Sequence, residues 1–167
     1  AIIANRIITD YPDILETASI PKKTFRPDTI DAVDMTNWNW MLEGLIRERS
    51  DVDGLKTGTT QFAGSTFTGT AQNGDRRLIT VVMDSGDDSI TRFVETDKLM
   101  DYGFDNFTLE TVTAQWKDSY DYEPLTVVNG RESSVEFEAS ESLEMLLALQ
   151  HSVEENVTYT IEWNKDI

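Results

Sequence analysis

Lys56-Thr57-Gly58 puts a fixed positive charge, a hydroxyl and a residue without a Cβ on three successive positions. Lys offers three donors and no acceptor, Thr adds a hydroxyl donor, and Gly lets a second backbone approach closely. A strand built this way suits a peptide carboxylate and an extended acyl chain. The tripeptide alone recurs by chance about once in several thousand residues at average residue frequencies, so its neighbours decide its meaning. They are Val52-Asp53-Gly54-Leu55 before it and Thr59-Thr60-Gln61-Phe62-Ala63-Gly64 after it.

The other candidates for chemistry are few. His151 is the only His and there is no Cys, so thiol nucleophiles and thiolate metal sites are excluded. A triad built on His151 is disfavoured, because that residue lies far along an acidic tail. The acidic runs at Asp87-Asp88 and Glu154-Glu155 lack calcium-loop spacing, and no phosphate-binding glycine motif is present. No pair of carboxylates is singled out for glycoside hydrolysis in so acidic a chain. Ser19-Ile20-Pro21-Lys22 has the Ser-x-x-Lys spacing that sets a nucleophile and a base on one helix face. Pro21 falls between them just after a short helix, which argues for a decoy. No Ser-x-Asn or Tyr-x-Asn motif occurs.

Composition narrows the partners. The 167 residues carry a formal net charge of −17, and a field of that sign repels nucleic acid and anionic membrane surfaces. Residues 1–110 hold 11 basic and 19 acidic side chains, and residues 111–167 hold 3 and 12. The last third is therefore the more acidic per residue, which hints at a boundary. A hydrophobic content of 39% argues for a folded chain. No apolar run approaches the length of a membrane span, and no signal peptide is visible.

The elements that must position the Lys follow from periodicity. Ile2, Ile3, Arg6, Ile7 and Ile8 read as an amphipathic helix and Pro12 starts a second, short one that Pro21 ends. Lys22–Phe25 and Ile30–Val33 read as short extended segments. Asn37-Trp38-Asn39-Trp40 reads as a loop pinned by aromatic packing and Asn side-chain caps, with direct ligand contact as the alternative. Glu43–Arg49 fits a helical turn or a polar loop. Gln72-Asn73-Gly74-Asp75 signals a hairpin between a Gly/Thr-rich strand and the apolar run Arg77–Met83, which reads as a central strand covered on both faces. Asp88 or Ser89 caps a helix in which Phe93, Met100 and Phe104 share a face, with Leu99 and Phe107 beside them. Beyond residue 108 the texture turns to short strands. A hairpin is expected around Asn129-Gly130 and a strand over Val157–Trp163. Residues 142–150 favour helix by propensity, but their neighbours argue for a strand.

With these flanks on the page, the chain resembles the serine-type D-alanyl-D-alanine carboxypeptidases, the low-molecular-mass penicillin-binding proteins. The resemblance runs through Val52–Gly64, the Asn73-Gly74 hairpin, Arg77–Met83 and Arg92-Phe93-Val94-Glu95-Thr96, with Tyr11-Pro12 and Asn37–Leu42 upstream. It implies an α+β fold: an antiparallel sheet flanked by helices, part of a transpeptidase-like (β-lactamase-like) domain over residues 1–107. A small β-rich C-terminal domain, incomplete, is expected over 108–167. It also implies a serine acyl-enzyme mechanism that removes the terminal D-alanine of peptidoglycan stem peptides. Lys56 would then hold the electrostatic arrangement of the Ser-Asn side, and Thr57 would bind the terminal carboxylate. The backbone at Gly58 and Thr59 would pair with substrate, Thr59 standing where relatives often carry His. Arg92, which by itself reads as an exposed helix-start Arg paired with local acids, would help receive the carboxylate.

The same resemblance implies no cofactor and no metal, with peptidoglycan stem peptides and β-lactams as partners and an extracytoplasmic location in a bacterial envelope. The Ser-x-x-Lys and Ser-x-Asn motifs would lie before the Lys56 strand in a part that this chain does not contain. A separate N-terminal half is then a possible partner, and membrane contact would come only through segments absent here. A chain without the serine is expected to be inactive alone. A serine β-lactamase, or a non-catalytic cell-wall binding or structural module of the same fold, are the alternative readings.

Overall fold

The computed structural model describes residues 1–86, 88–111, 125–127, 130–135 and 143–151. The chain divides into two compact units, Ala1–Asp105 and Asn106–Ile167. In the first, helices α1 (Ile2–Asp10) and α2 (Ile14–Ala18) precede a two-stranded hairpin of β1 (Lys22–Phe25) and β2 (Val33–Thr36). A three-stranded antiparallel sheet follows, in spatial order β3 (Val52–Thr60), β4 (Gly64–Asn73), β5 (Arg76–Val82), and then helix α3 (Thr91–Asn106). The architecture is α+β, an antiparallel sheet flanked by helices and followed by a smaller β-rich region, as the sequence implies.

The core lies between the sheet and α3. Phe93, Met100 and Phe104 repeat at helical spacing and are buried, while Leu99 on the same helix stays largely exposed. Phe93 meets Phe67 of β4 edge-on at 5.1 Å and Trp40 at 5.7 Å. Each such aromatic contributes about 1.5–3 kcal/mol by burial. A Cβ on Gly69 would lie 2.9 Å from Phe67 Cε1 and 3.0 Å from Met100 Cε, so β4 lies close under the helix there. On the opposite face Leu15 and Ala18 of α2 close on Gly54 of β3. The start of α3 is satisfied by Asp88, whose carboxylate accepts from Ile90 N–H at 2.8 Å and Thr91 Oγ1 at 3.2 Å.

Three expectations change. Among the described residues the apolar run Arg77–Met83 is not the central strand: β4 has a partner on each side and β5 has β4 alone. Val82 is buried while Val81 and Met83 are exposed, because pairing partners, which hydropathy does not encode, set a strand's place in a sheet. The second arm of the first hairpin is Val33–Thr36 instead of Ile30–Val33. Phe25 pairs with Val33, and Ile30 lies in the turn, where Arg26 and Asp28 adopt positive φ and Thr29 Oγ1 donates to Arg26 O. Phe107 does not lie on the α3 face; it opens strand β6. The Glu43–Arg49 stretch resolves as turns, with Glu48 Oε2 accepting from Gly44 N–H at 3.0 Å.

In the second unit β6 (Phe107–Thr111) pairs antiparallel with β9 (Glu144–Ala148), so residues 144–148 are strand in spite of their helix propensity. β7 (Leu125–Thr126) pairs with β8 (Ser134–Val135), and Val127 N–H donates to Ser133 O. Asn129 and the expected strand Val157–Trp163 lie outside the described residues.

Candidate substrate-binding strand and its supports

Strand β3 is held from both sides along its length. At its start, Arg77 of β5 reaches across β4 to Asp53 with two parallel hydrogen bonds of 2.8 and 2.7 Å, and also donates to Thr70 Oγ1. Bidentate pairing of this kind fixes geometry as well as charge. From the loop before the strand, buried Asn39 donates through Nδ2 to Gly54 O at 3.2 Å. Arg49, just upstream, binds Asp51 through two nitrogens and reaches Asp97 and Asp101 of α3. Burial opposes its charge, but hydrogen bonds to Asp51, Asp97 and Asp101 outweigh that and raise its pKa above the ordinary value.

Lys56, Thr57 and Gly58 pair with Thr68, Phe67 and Thr66 of β4, and among the described residues no strand pairs with the other edge of β3. Alternation puts Gly54, Lys56 and Gly58 toward the α2 side and Thr57 and Thr59 toward α3. Lys56 is exposed and its Nζ donates to Thr57 O at 2.7 Å.

Gly58 carries the densest set of contacts. Its carbonyl accepts from Arg92 Nη1 at 3.0 Å, Thr59 Oγ1 at 2.8 Å and Thr66 Oγ1 at 3.2 Å. A Cβ at this position would stand 2.7 Å from Thr66 Oγ1. Arg92 is only 3% exposed and also donates to Thr59 Oγ1 at 3.0 Å, with its guanidinium 5.0 Å from the Phe93 ring centre. Burial lowers its pKa from the ordinary value. The sequence puts Arg92 at a helix start; the tertiary structure brings it to the underside of the Gly58-Thr59 backbone. Arg77 and Thr66 are supports that sequence reasoning did not assign, because only the register of the sheet brings them to β3. The Asn-x-Asn spacing points to side-chain caps, and the loop before the strand carries one of them, Asn39, to Gly54 O.

Ser19 and Lys22 do not form a nucleophile–base pair at a helix start. Ser19 is the C-cap residue of α2, its hydroxyl donating to Glu16 O, and Lys22 begins β1. His151 lies in the second unit, following β9. Among the described residues no group of His, Cys, Asp and Glu could hold a metal ion, and no helix is long and apolar enough to cross a membrane. A polar surface pocket of about 490 Å³ opens among Arg49, Ser50, Asp51, Gln72, Asn73 and Gly74, none of them from the Lys56–Thr59 segment.

The family model for D-alanyl-D-alanine carboxypeptidase (Peptidase_S11) matches residues 1–87, more than half of the chain. The chain belongs to this family. The carboxypeptidase match includes Lys56, Thr57, Gly58 and Thr59, and Arg92 follows just beyond it. Relatives agree. D-alanyl-D-alanine carboxypeptidase DacC of Escherichia coli K12 is 39% identical over 113 residues, 68% of this chain and 26% of DacC. The crystal structure of a peptidoglycan synthesis regulatory factor (PBP3) from Streptococcus pneumoniae is 35% identical with a TM-score of 0.67, over 90% of this chain and 41% of that one. Penicillin-binding protein D2 of Listeria monocytogenes in its ampicillin-bound form is 38% identical with a TM-score of 0.51, over 60% of this chain and 38% of that one. The chain thus spans about a quarter of the length of DacC.

Proposed function

We propose that the protein carrying this chain is a serine-type D-alanyl-D-alanine carboxypeptidase that trims peptidoglycan stem peptides, with residues 1–107 forming part of its transpeptidase-like domain and 108–167 a β-rich C-terminal domain. The observation that supports this most is the edge of β3 that no strand covers among the described residues, where exposed Lys56 and half-buried Thr57 stand beside a Gly58 carbonyl fixed by three donors. In this reading a serine contributed from outside the chain attacks the penultimate D-alanine carbonyl. The peptide C–N bond breaks, terminal D-alanine leaves with a proton, and water hydrolyses the ester and regenerates the serine. Lys56 stabilises charge on the Ser-Asn side and Thr57 donates to the terminal carboxylate. Gly58 and Thr59 pair with the extended substrate backbone. Arg92 adds positive potential behind the carboxylate site and holds Thr59 in place. The substrate puts the protein outside the cytoplasm, in the cell envelope, and the Listeria relative's ampicillin complex supports β-lactams as acylating mimics. The chain by itself is a substrate-holding wall and inactive.

Mass spectrometry of the whole protein after exposure to penicillin tests this. A persistent adduct of one penicillin mass is expected, and Lys56→Ala should slow its formation by about 10²–10³-fold, the scale of losing one transition-state donor. Rapid turnover without a lasting adduct would point to a β-lactamase. Absence of any adduct, alongside binding to peptidoglycan, would point to a non-catalytic module.

A further inference from the structure

The sheet register fixes the direction of the Gly58–Thr59 peptide. Ser65 N–H donates to Gly86 O at 3.1 Å and Ser65 O accepts from Ser85 N–H at 3.0 Å, both on the β5 side of β4. Successive residues of a strand turn their backbone groups to opposite sides, so Thr66 turns its own toward β3. Gly58, its antiparallel partner, therefore turns its carbonyl toward β4. The C=O and N–H of a trans peptide point in opposite directions. The N–H of Thr59 thus points to the edge of β3 that no strand covers among the described residues.

The inner half of this peptide receives donors from both faces of the sheet. Thr66 Oγ1 reaches Gly58 O at 3.2 Å from the α2 side, while Arg92 Nη1 at 3.0 Å and Thr59 Oγ1 at 2.8 Å reach it from the α3 side. Arg92 also donates to Thr59 Oγ1, so its charge acts on the carbonyl twice, directly and through that hydroxyl. The residue is 3% exposed, and among the described residues no carboxylate forms an ion pair with it. A charge-assisted hydrogen bond in so dry a place polarises its acceptor strongly. The electron density drawn onto Gly58 O comes from the peptide nitrogen, which leaves Thr59 N–H the stronger donor at the uncovered edge.

We propose that Arg92 and Thr66 are positioning residues that act through the Gly58–Thr59 peptide. They aim Thr59 N–H and strengthen it as a donor to the acyl oxygen, where negative charge gathers as the serine oxygen adds to the carbonyl. This rests on the carboxypeptidase reading of the Lys56 strand. It puts the donor beyond Thr57, on the acyl side of the terminal carboxylate, and Gly58 meets substrate through the N–H half of the peptide it shares with Thr59.

The test uses the whole protein and penicillin isotope-labelled at the lactam carbonyl. Thr66→Val keeps the shape of the side chain and removes one donor from Gly58 O. Its acylation rate constant should fall about twofold to eightfold with the penicillin dissociation constant unchanged. That is about 10–30% of the free energy of a donor whose loss costs about 10²–10³-fold. The infrared band of the ester carbonyl in the acyl-enzyme should move to higher frequency, because a weaker donor leaves the carbonyl more double-bond character. Arg92→Met should move the band further the same way, and Arg92→Lys should restore part of the shift. Thr66→Val decides the matter where loss of the buried Arg92 unfolds the protein. A Thr66→Val protein with an unchanged rate, or with a slower rate and an unmoved band, overturns the proposal, since the hydroxyl then only braces the strand. Failure of penicillin to acylate the wild-type protein overturns the carboxypeptidase reading itself, and the proposal with it.

Discussion

At the scale of single residues, the Gly58 carbonyl is where the strand is most tightly specified. Three donors from three elements converge on it, and the absence of a Cβ leaves room for one of them, Thr66 Oγ1. Gly58→Ala should push the Thr66 hydroxyl away, lose that hydrogen bond and destabilise the protein by about 1–3 kcal/mol. In a Thr66→Ala background the added methyl meets open space, so a denaturant-based double-mutant cycle should show a coupling of about 0.5–2 kcal/mol. Strict additivity would mean that Gly58 is required for another reason. The Lys56-Thr57-Gly58 tripeptide was legible in the sequence because it is local. The donors on Gly58 were not, since Thr66 and Arg92 are brought there by sheet register and helix docking.

At the scale of elements, β3 is braced to α3 at both ends. Arg92 holds Gly58 and Thr59 from the first turn of the helix, and Arg49 ties the segment before the strand to Asp97 and Asp101 further along it. Arg49→Met keeps much of the packing volume but leaves Asp51, Asp97 and Asp101 facing one another without their cation. Asp97 and Asp101 are partly exposed, so solvent screens part of that repulsion. A loss of about 1–2 kcal/mol is expected in urea unfolding of the whole protein; an unchanged midpoint would show that the bridge does not brace the strand. β5 teaches a different lesson about elements. Its apolar run reads as a central strand, but centrality belongs to the partners on either side, and among the described residues β5 has β4 alone.

At the scale of the whole molecule, charge dominates. A net charge of −17 on 167 residues sets up self-repulsion, only partly offset by local ion pairs such as Arg77–Asp53 and Lys98–Glu95. Raising sodium chloride from about 10 mM to about 150 mM shortens the Debye length from about 30 Å to about 8 Å. The Tm of the protein should therefore rise over that range, and a Tm that falls would mean that surface ion pairs outweigh the repulsion. The same field opposes the approach of polyanions.

The sequence by itself determined the α+β class, the hairpin at Gly74, the apolar face of α3 and, through the residues around Lys56-Thr57-Gly58, the resemblance to the family. Each of these rests on nearest neighbours or a fixed period along the chain. Tertiary structure decided what stands behind the motif. It showed that Arg92 lies beneath the strand with its charge spent on Gly58 and Thr59, that Arg77 clamps Asp53 across β4, and that Trp38 faces outward while Trp40 packs inward. It also made residues 144–148 a strand, because pairing with β6 outweighs their helix propensity. The physical reason is common to all of these. A side chain's type is local, whereas its partners are chosen by register and packing between segments far apart in the chain.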